Sequence, residues 1–293
     1  MTEMQVFGAS GAVGSFLLAR LRAAGAAAIA CTSKPELPAT TAGDPIRWRR
    51  LDLWRDQAPS TANVIISAGP LDALAHWLAH AQTPQLQRLV ALSSMSIEAK
   101  RDAIDARERR IAASLAQSEM CLRELCDRRG VAWTILRPTL IWGAGIDLSI
   151  SALYRLARRY RIAPMPISLG GLRQPVHADD VAQACLLALS RNQSAAQTIA
   201  LGGAERLPVA VMWQRVIHCA AASELRLPLA LLRAASVLLG PRGTPLRATL
   251  GRWQQVQIAG SEAAHELLDW RPRGFDPDAE DFEPRSARVS PAA

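Results

Sequence analysis

Three glycines near the start of the chain are the residues whose type and spacing best suit a ligand. The stretch Gly8-Ala9-Ser10-Gly11-Ala12-Val13-Gly14 spaces them as GxxGxxG. It lies between an apolar run, Met4–Phe7, and a helical pattern, Val13–Ala24. The first glycine permits a tight turn. The second lets the backbone approach a pyrophosphate, and the third allows close packing of helix on strand. The N–H groups that open the helix then face the phosphates. In the first strand–turn–helix of an alternating chain this spacing points to a dinucleotide; the alternative is a packing turn with no ligand. The second apolar run, Ala27–Thr32, continues into Ser33-Lys34 with no acidic residue to hold the ribose of NAD. A hydroxyl and a cation there suit a 2′-phosphate, so NADP is the expected cofactor and NAD the other option. A solvated turn lysine is the bland alternative.

The elements that must position this loop alternate along the first half. Strands are expected at Ile46–Leu51, Asn63–Ser67, Arg88–Ser93 and Val131–Leu136. Helices are expected at Leu71–His80 and from about Asp102 to Arg128. Alternation of this kind builds βαβ units, hence an α/β fold with a doubly wound parallel sheet covered on both faces, a Rossmann fold. After about residue 140 the pattern loosens. Ser149–Tyr160 reads as a helix, and Pro164, Pro166, Gly170 and Gly171 as a loop. Asp180–Ser190 reads as a helix N-capped by Asp179, and Thr198–Leu201 as a short strand. The expected organisation is a dinucleotide-binding domain over 1–143 and a mixed segment over 144–283. That segment would supply the remaining Rossmann elements and a small C-terminal substrate-binding lobe. A polar, disordered tail is expected over 284–293.

Composition narrows the function classes. The chain has 293 residues and a formal charge of +8, with 32 arginines and only two lysines, Lys34 and Lys100. Arginine spread along the chain, without a nucleic-acid-binding motif, reads as solvated helix faces, so nucleic acid is not an expected partner. No apolar run is long enough to span a bilayer. No charged-then-apolar leader precedes Met4–Phe7, and five cysteines lack metal-type spacing, so a cytoplasmic protein with reduced thiols is expected. The apolar stretch Leu227–Leu239, flanked by Arg226 and Arg242, reads as a core helix of the lobe. Its alternative is peripheral contact with an anionic membrane.

Further motifs carry a resemblance. In order they are Asp52-Leu53, Ser67-Ala68-Gly69, Leu92-Ser93-Ser94, Arg137-Pro138-Thr139-Leu140-Ile141-Trp142-Gly143, Gln174-Pro175-Val176-His177-Ala178-Asp179-Asp180-Val181-Ala182 and Leu268-Asp269-Trp270-Arg271-Pro272. With the glycine loop they resemble the extended branch of the short-chain dehydrogenase/reductase superfamily, the NAD-dependent epimerase/dehydratase family that acts on nucleotide sugars. The likeness covers about residues 4–275. It implies that Asp52 and Leu53 flank the adenine, and that Ser67, Ala68 and Gly69 line the cofactor. Ser93 or Ser94 would face the substrate, and Pro138, Thr139 and Leu140 would approach the nicotinamide. Asp52 reads equally as a turn cap, Asp179 and Asp180 read as helix caps, and His177 as a packed structural histidine. Arg137 would hold loop carbonyls, and Arg173 or Arg155 would pair with a substrate pyrophosphate. Helices of this superfamily often pair two subunits, which implies a homodimer.

One part of the family pattern is missing. The superfamily moves its proton with a Tyr-x-x-x-Lys pair on the helix after the fifth strand, where the lysine lowers the tyrosine's pKa. Asp102–Arg128 contains neither residue type. If Glu119 is the glutamate that follows that pair, Ile111 and Leu115 stand in its place. Two functional readings follow. In one, an atypical epimerase, dehydratase or reductase acts on an anionic or nucleotide-linked small molecule, with Ser93, Ser94 and Lys100 as the catalytic candidates. In the other, a non-catalytic dinucleotide-binding regulator or scaffold senses cofactor.

Overall fold

The computed structural model describes residues 3–103, 105–167, 170–238, 253 and 255–284. In chain order the elements begin β1 (Met4–Phe7), α1 (Ala12–Ala23), β2 (Ala28–Thr32), β3 (Ile46–Arg50), β4 (Val64–Ser67), α2 (Leu71–His80), β5 (Arg88–Leu92), α3 (Ser96–Ala99), α4 (Ala106–Arg129) and β6 (Ala132–Pro138). They continue as β7 (Ile141–Trp142), α5 (Ile150–Tyr160), β8 (Ile162–Ile167), β9 (Leu172–Arg173), β10 (Val176–His177), α6 (Ala178–Ser190) and β11 (Gln197–Leu201). The last are β12 (Leu207–Pro208), α7 (Val209–Cys219), β13 (Ser223–Pro228), α8 (Leu229–Leu238) and α9 (Glu262–Leu268). Two compact units divide them. The first holds Met1–Pro138, Ala178–Leu201 and Gly260–Arg271, and the second the rest.

The first unit is a seven-stranded, all-parallel sheet in the order β11-β6-β5-β4-β1-β2-β3. The expected Rossmann α/β architecture is therefore present. Its inner strands are short apolar runs buried on both faces, as parallel strands under helices must be. From β1 the chain winds one way through β2 and β3. It then returns to β4 on the other side of β1 and winds away from it. The strand order reverses between β1 and β4, which places a ligand crevice at the carboxyl ends of those two strands. The 24-residue α4 is closed at both ends. The Asp105 carboxylate accepts from Arg107 N–H at 2.8 Å, and Gly130 ends the helix in the left-handed region at φ 65°.

Arg88, on the opening residue of β5, is half-buried and held by neutral acceptors. It donates to the Ala132 and Ala188 carbonyls, Thr134 Oγ1 and Ser194 Oγ at 2.6–3.1 Å. Burial lowers its pKa. It ties the β5–β6 pair to the end of α6. Asp179 is not the N-cap of α6. The helix starts one residue earlier, at Ala178, and the Asp179 carboxylate pairs with Arg20 of α1 at 2.7 Å.

The second unit is built from two-residue and six-residue strand pairs around α5 and α7. β7 pairs with β10, β9 with β12, and β8 with β13. Trp142, Tyr154, Met165, Trp213, Phe275 and Phe282 lie in its core. His177 is the packed histidine that the sequence suggests. It is 2% exposed, its ring edge-on to Trp142 at 4.8 Å, and its Nε2 lies 3.2 Å from Asp281. Gly143, at φ 92°, lets that ring in, because a Cβ there would fall 2.0 Å from Nε2.

Pro164 and Pro166 do not make a loop. They sit inside β8, whose only partner among the described residues is β13. A strand paired on one side tolerates proline, since the missing N–H can face away from the partner. The Leu227–Leu239 stretch is corrected too. It enters α8 after finishing β13, and Leu231, Val237 and Leu238 are exposed rather than core. Leu239 and the tail beyond residue 284 lie outside the described residues.

Candidate functional site

The crevice at the switch point is formed by two loops that only glycine can bring so close. Gly8 follows β1 at φ 67°, where a Cβ would lie 2.5 Å from Gly69 N and 2.7 Å from the Ala68 carbonyl carbon. Gly14 packs the start of α1 against the same turn, where a Cβ would lie 2.3 Å from Gly8 O. Gly11 is the N-cap of α1, and its N–H donates to Gly8 O at 2.9 Å. No side chain caps α1 and its first turn, Ala12-Val13-Gly14, carries no acid. The N–H groups of that turn are therefore available to an anion. Ala9 N–H is anchored on Cys31 O and Ala68 N–H on Phe7 O, which fixes the loops to the neighbouring strands.

Ser67 ends β4 beside this cradle. Its Oγ is buried and finds no hydrogen-bond partner among the described residues. An orphaned hydroxyl beside uncapped helix N–H groups fits a bound polar ligand such as a dinucleotide.

The end of β2 closes the other side. Thr32 Oγ1 lies 2.8 Å from Ser10 Oγ and accepts from Lys34 N–H at 3.2 Å. The position where an acid would mark NAD is thus a threonine that holds the glycine loop. No local signal in the sequence marks this contact, because only the fold brings residues 10 and 32 together. Ser33 and Lys34 are exposed. Beside them, β3 places Arg49 level with Cys31 and Arg50 level with Thr32. No carboxylate pairs with Lys34, Arg49 or Arg50 among the described residues. Burial pushes the Cys31 thiol up to about 12, against the pull of Arg49. Asp52 opens a turn, accepting from Trp54 N–H at 3.0 Å with Arg55 at 3.8 Å, while Leu53 packs on the core.

At the end of β5 the three catalytic candidates separate. Ser94 Oγ accepts from Ser96 N–H at 3.1 Å and donates to Ser96 Oγ at 3.0 Å, so it organises α3. Ser93 Oγ is buried. It lies close enough to Glu119 to help lower that group's pKa, although its geometry falls short of a full hydrogen bond. Lys100 Nζ is 3.6 Å from Glu108 Oε1 of α4, with side chains 16% and 12% exposed. It is not a solvated loop lysine.

Glu119 anchors the neighbouring ion network. Arg137 binds it with two contacts, Nε at 2.8 Å and Nη2 at 2.7 Å, and Arg123 adds a third at 2.7 Å. Glu98 takes the remaining arm of Arg137 at 2.9 Å. Burial by itself would raise the pKa of Glu119. Hydrogen bonds from Arg137, together with the nearby Ser93 hydroxyl and the charges of Arg137 and Arg123, outweigh it and leave the pKa lowered, although Ser93 stops short of a full hydrogen bond. Arg137 therefore holds carboxylates rather than loop carbonyls. On α4, Ile111 is exposed and Leu115 packs on the core.

Pro138 closes β6. Thr139 and Leu140 belong to the second unit, where the Thr139 hydroxyl donates to Gln174 O and Leu140 O accepts from Val176 N–H at 2.9 Å. Arg173 is buried and bound to the Leu172 and Gln255 carbonyls, and Arg155 donates to Gly145 O. The Arg173 guanidinium is thus taken up by carbonyls inside the fold, whereas Arg155 is exposed and uses Nη1 for its carbonyl.

The sequence matches no protein-family model, and no curated protein matches it. Solved structures do share its architecture. MoeE5, in complex with UDP-glucuronic acid and NAD, is 17% identical and superposes with a TM-score of 0.71, covering 98% of this chain and 99% of its own. The UDP-N-acetylglucosamine 4-epimerase from Bacillus cereus is 12% identical with a TM-score of 0.70, covering 100% and 99%. The UDP-glucuronic acid 4-epimerase from Bacillus cereus, in complex with NAD, is 13% identical with a TM-score of 0.71, covering 98% and 99%. The fold of these structures therefore spans essentially the whole chain.

Proposed function

We propose that this protein binds a nicotinamide dinucleotide and acts as an epimerase/dehydratase-like oxidoreductase on a nucleotide-sugar-like, anionic small molecule. The observation that carries the proposal is the cradle of Gly8, Gly11, Gly14 and Gly69 at the sheet's switch point, with the buried, unpartnered Ser67 hydroxyl beside it. The resolved neighbours with NAD and UDP-sugars support the same reading. Bound there, the nicotinamide would supply a hydride acceptor and donor.

The chain's own residues divide the remaining work. The first turn of α1 binds pyrophosphate through its N–H groups. Lys34, with Arg49 and Arg50 on the adjacent strand, favours the 2′-phosphate of NADP over NAD. Asp52 and Leu53 border the adenine, Ser67 to Gly69 the middle of the cofactor, and Pro138 to Leu140 its nicotinamide end. Ser93 supplies a hydroxyl to the reacting oxygen. Lys100 takes the role of proton donor with Glu108 as its partner, one helical turn before Ile111. We place this work in the cytoplasm, in keeping with five free cysteines. A homodimer packed through α4 would cover the exposed Ile111 and Met120.

A second reading has its own observation. Ile111 and Leu115 stand where the family keeps its proton-transfer pair, which suits a protein that binds cofactor and regulates without turnover. Incubation with NADP or NAD and a panel of UDP-sugars, with product analysis, separates the two. Turnover that falls at least about a hundredfold in Lys100→Ala, the scale of general acid–base catalysis, supports the enzyme. Turnover unchanged in that variant removes Lys100 from the mechanism. Cofactor binding with no product from any sugar favours the regulator.

A further inference from the structure

The second unit displays an apolar side of a helix to solvent. In α8, Leu231, Val237 and Leu238 are 56%, 61% and 87% exposed, and Ala230 and Ala234 between them are exposed as well. At 3.6 residues per turn these positions form one stripe. The helix follows β13 directly and packs against both strands of the β8–β13 ribbon. Ile162 and Leu225 share a face of that ribbon, because Ile162 is level with Ser223 and Leu225 with Pro164, and both are exposed. Grouped apolar exposure of this kind marks an interaction surface.

The exposed charges just before the ribbon are cationic. At the end of α5, just before β8, Arg159 lies over the ring of the exposed Tyr160 at 5.6 Å, and Arg161 follows. Neither arginine has a carboxylate partner among the described residues. Arg226 does, in Glu224, and contributes less. A second copy of this chain would bring like charges together across the contact. An anionic lipid surface would neutralise them while its acyl boundary received the leucines. Arginine stems can lie along such a surface with their heads in the phosphate layer. No helix among the described residues is long and apolar enough to cross a membrane, so the contact would be peripheral.

We infer that α8 and the ribbon face carrying Ile162 and Leu225 dock this protein on an anionic bilayer surface. This goes beyond the dinucleotide reading and does not depend on it. The test is sedimentation with phosphatidylcholine vesicles, with and without phosphatidylglycerol. The protein should bind only the vesicles containing phosphatidylglycerol and be released as salt rises. Arg159→Ala should weaken binding about fivefold, the value of one charge near such a surface. The double variant Leu231→Asp with Leu238→Asp should lose binding at least about tenfold while melting at the wild-type temperature, since both side chains are exposed. The inference is overturned by no binding at low salt. It is also overturned by equal binding of the double variant, which would mean that charge acts alone. A wild-type dimer in solution that the double variant converts to a monomer, with no vesicle binding by either, would assign the face to a second copy instead.

Discussion

Replacing Gly14 by alanine tests the cradle most sharply, because two effects of opposite sign can be separated. Inside α1, alanine is favoured over glycine by about 1 kcal/mol. The added Cβ, however, would lie 2.3 Å from Gly8 O and 2.7 Å from Ala9 Cα, both backbone atoms that cannot swing aside. Reaching even a 3.0 Å contact requires the helix start and the turn to part by about 0.7 Å. Overpacking of this size costs about 1–3 kcal/mol, so the net loss of stability should stay within about 2 kcal/mol. Binding should suffer more. If the shift takes one charge-assisted N–H contact away from a phosphate, about 1.5–3 kcal/mol is lost, or roughly ten- to hundredfold in Kd. Gly11→Ala provides the comparison. Its Cβ would meet Gly8 O at 3.1 Å, which a few tenths of an ångström relieve, so its affinity loss should be clearly smaller. Urea unfolding gives the stability change, and nicotinamide fluorescence gives the affinity. A Gly14→Ala protein that binds dinucleotide as tightly as wild type, or a Gly11→Ala protein that is worse, would refute the reasoning.

The Glu119 network should appear in the acid limb of stability. Its folded pKa is lowered, so the stability it contributes is present above the unfolded value near 4.3 and is lost as pH falls through the folded one. Glu119→Gln should cost about 3–5 kcal/mol at neutral pH and flatten the stability change below about pH 4, as read by urea unfolding across pH. Arg88→Met should destabilise by about 2 kcal/mol or more, since it leaves the Ala132 and Ala188 carbonyls without their donor, and a melting temperature equal to wild type would contradict it. Lys34→Ala should weaken NADPH binding by about tenfold and leave NADH binding unchanged in paired titrations.

Much of this was legible in the residues themselves. Alternating apolar runs predicted the five inner strands and the edge strand β3 to within a few residues, since a strand buried on both faces must be a short continuous apolar run. The glycine spacing located the loop, because its backbone requirements are local. Errors arose where the deciding contact is distant. Asp179 looked like a cap until its partner Arg20, 159 residues away, came beside it. Pro164 and Pro166 read as a loop because nothing local announces that β8 pairs with β13, more than fifty residues on. The Thr32–Ser10 contact and the Lys100–Glu108 pair were hidden for the same reason. The absence of tyrosine and lysine from α4, in contrast, was plain in the sequence, and the fold adds only where Ile111 and Leu115 stand.

The measurement that tests the central claim most directly is titration of the wild-type protein with NADPH and NADH, following nicotinamide fluorescence. The cradle at the β1–β4 switch point predicts saturable binding of both, with NADPH tighter. No saturation by either up to about 1 mM, a binding free energy weaker than about 4 kcal/mol, would contradict it.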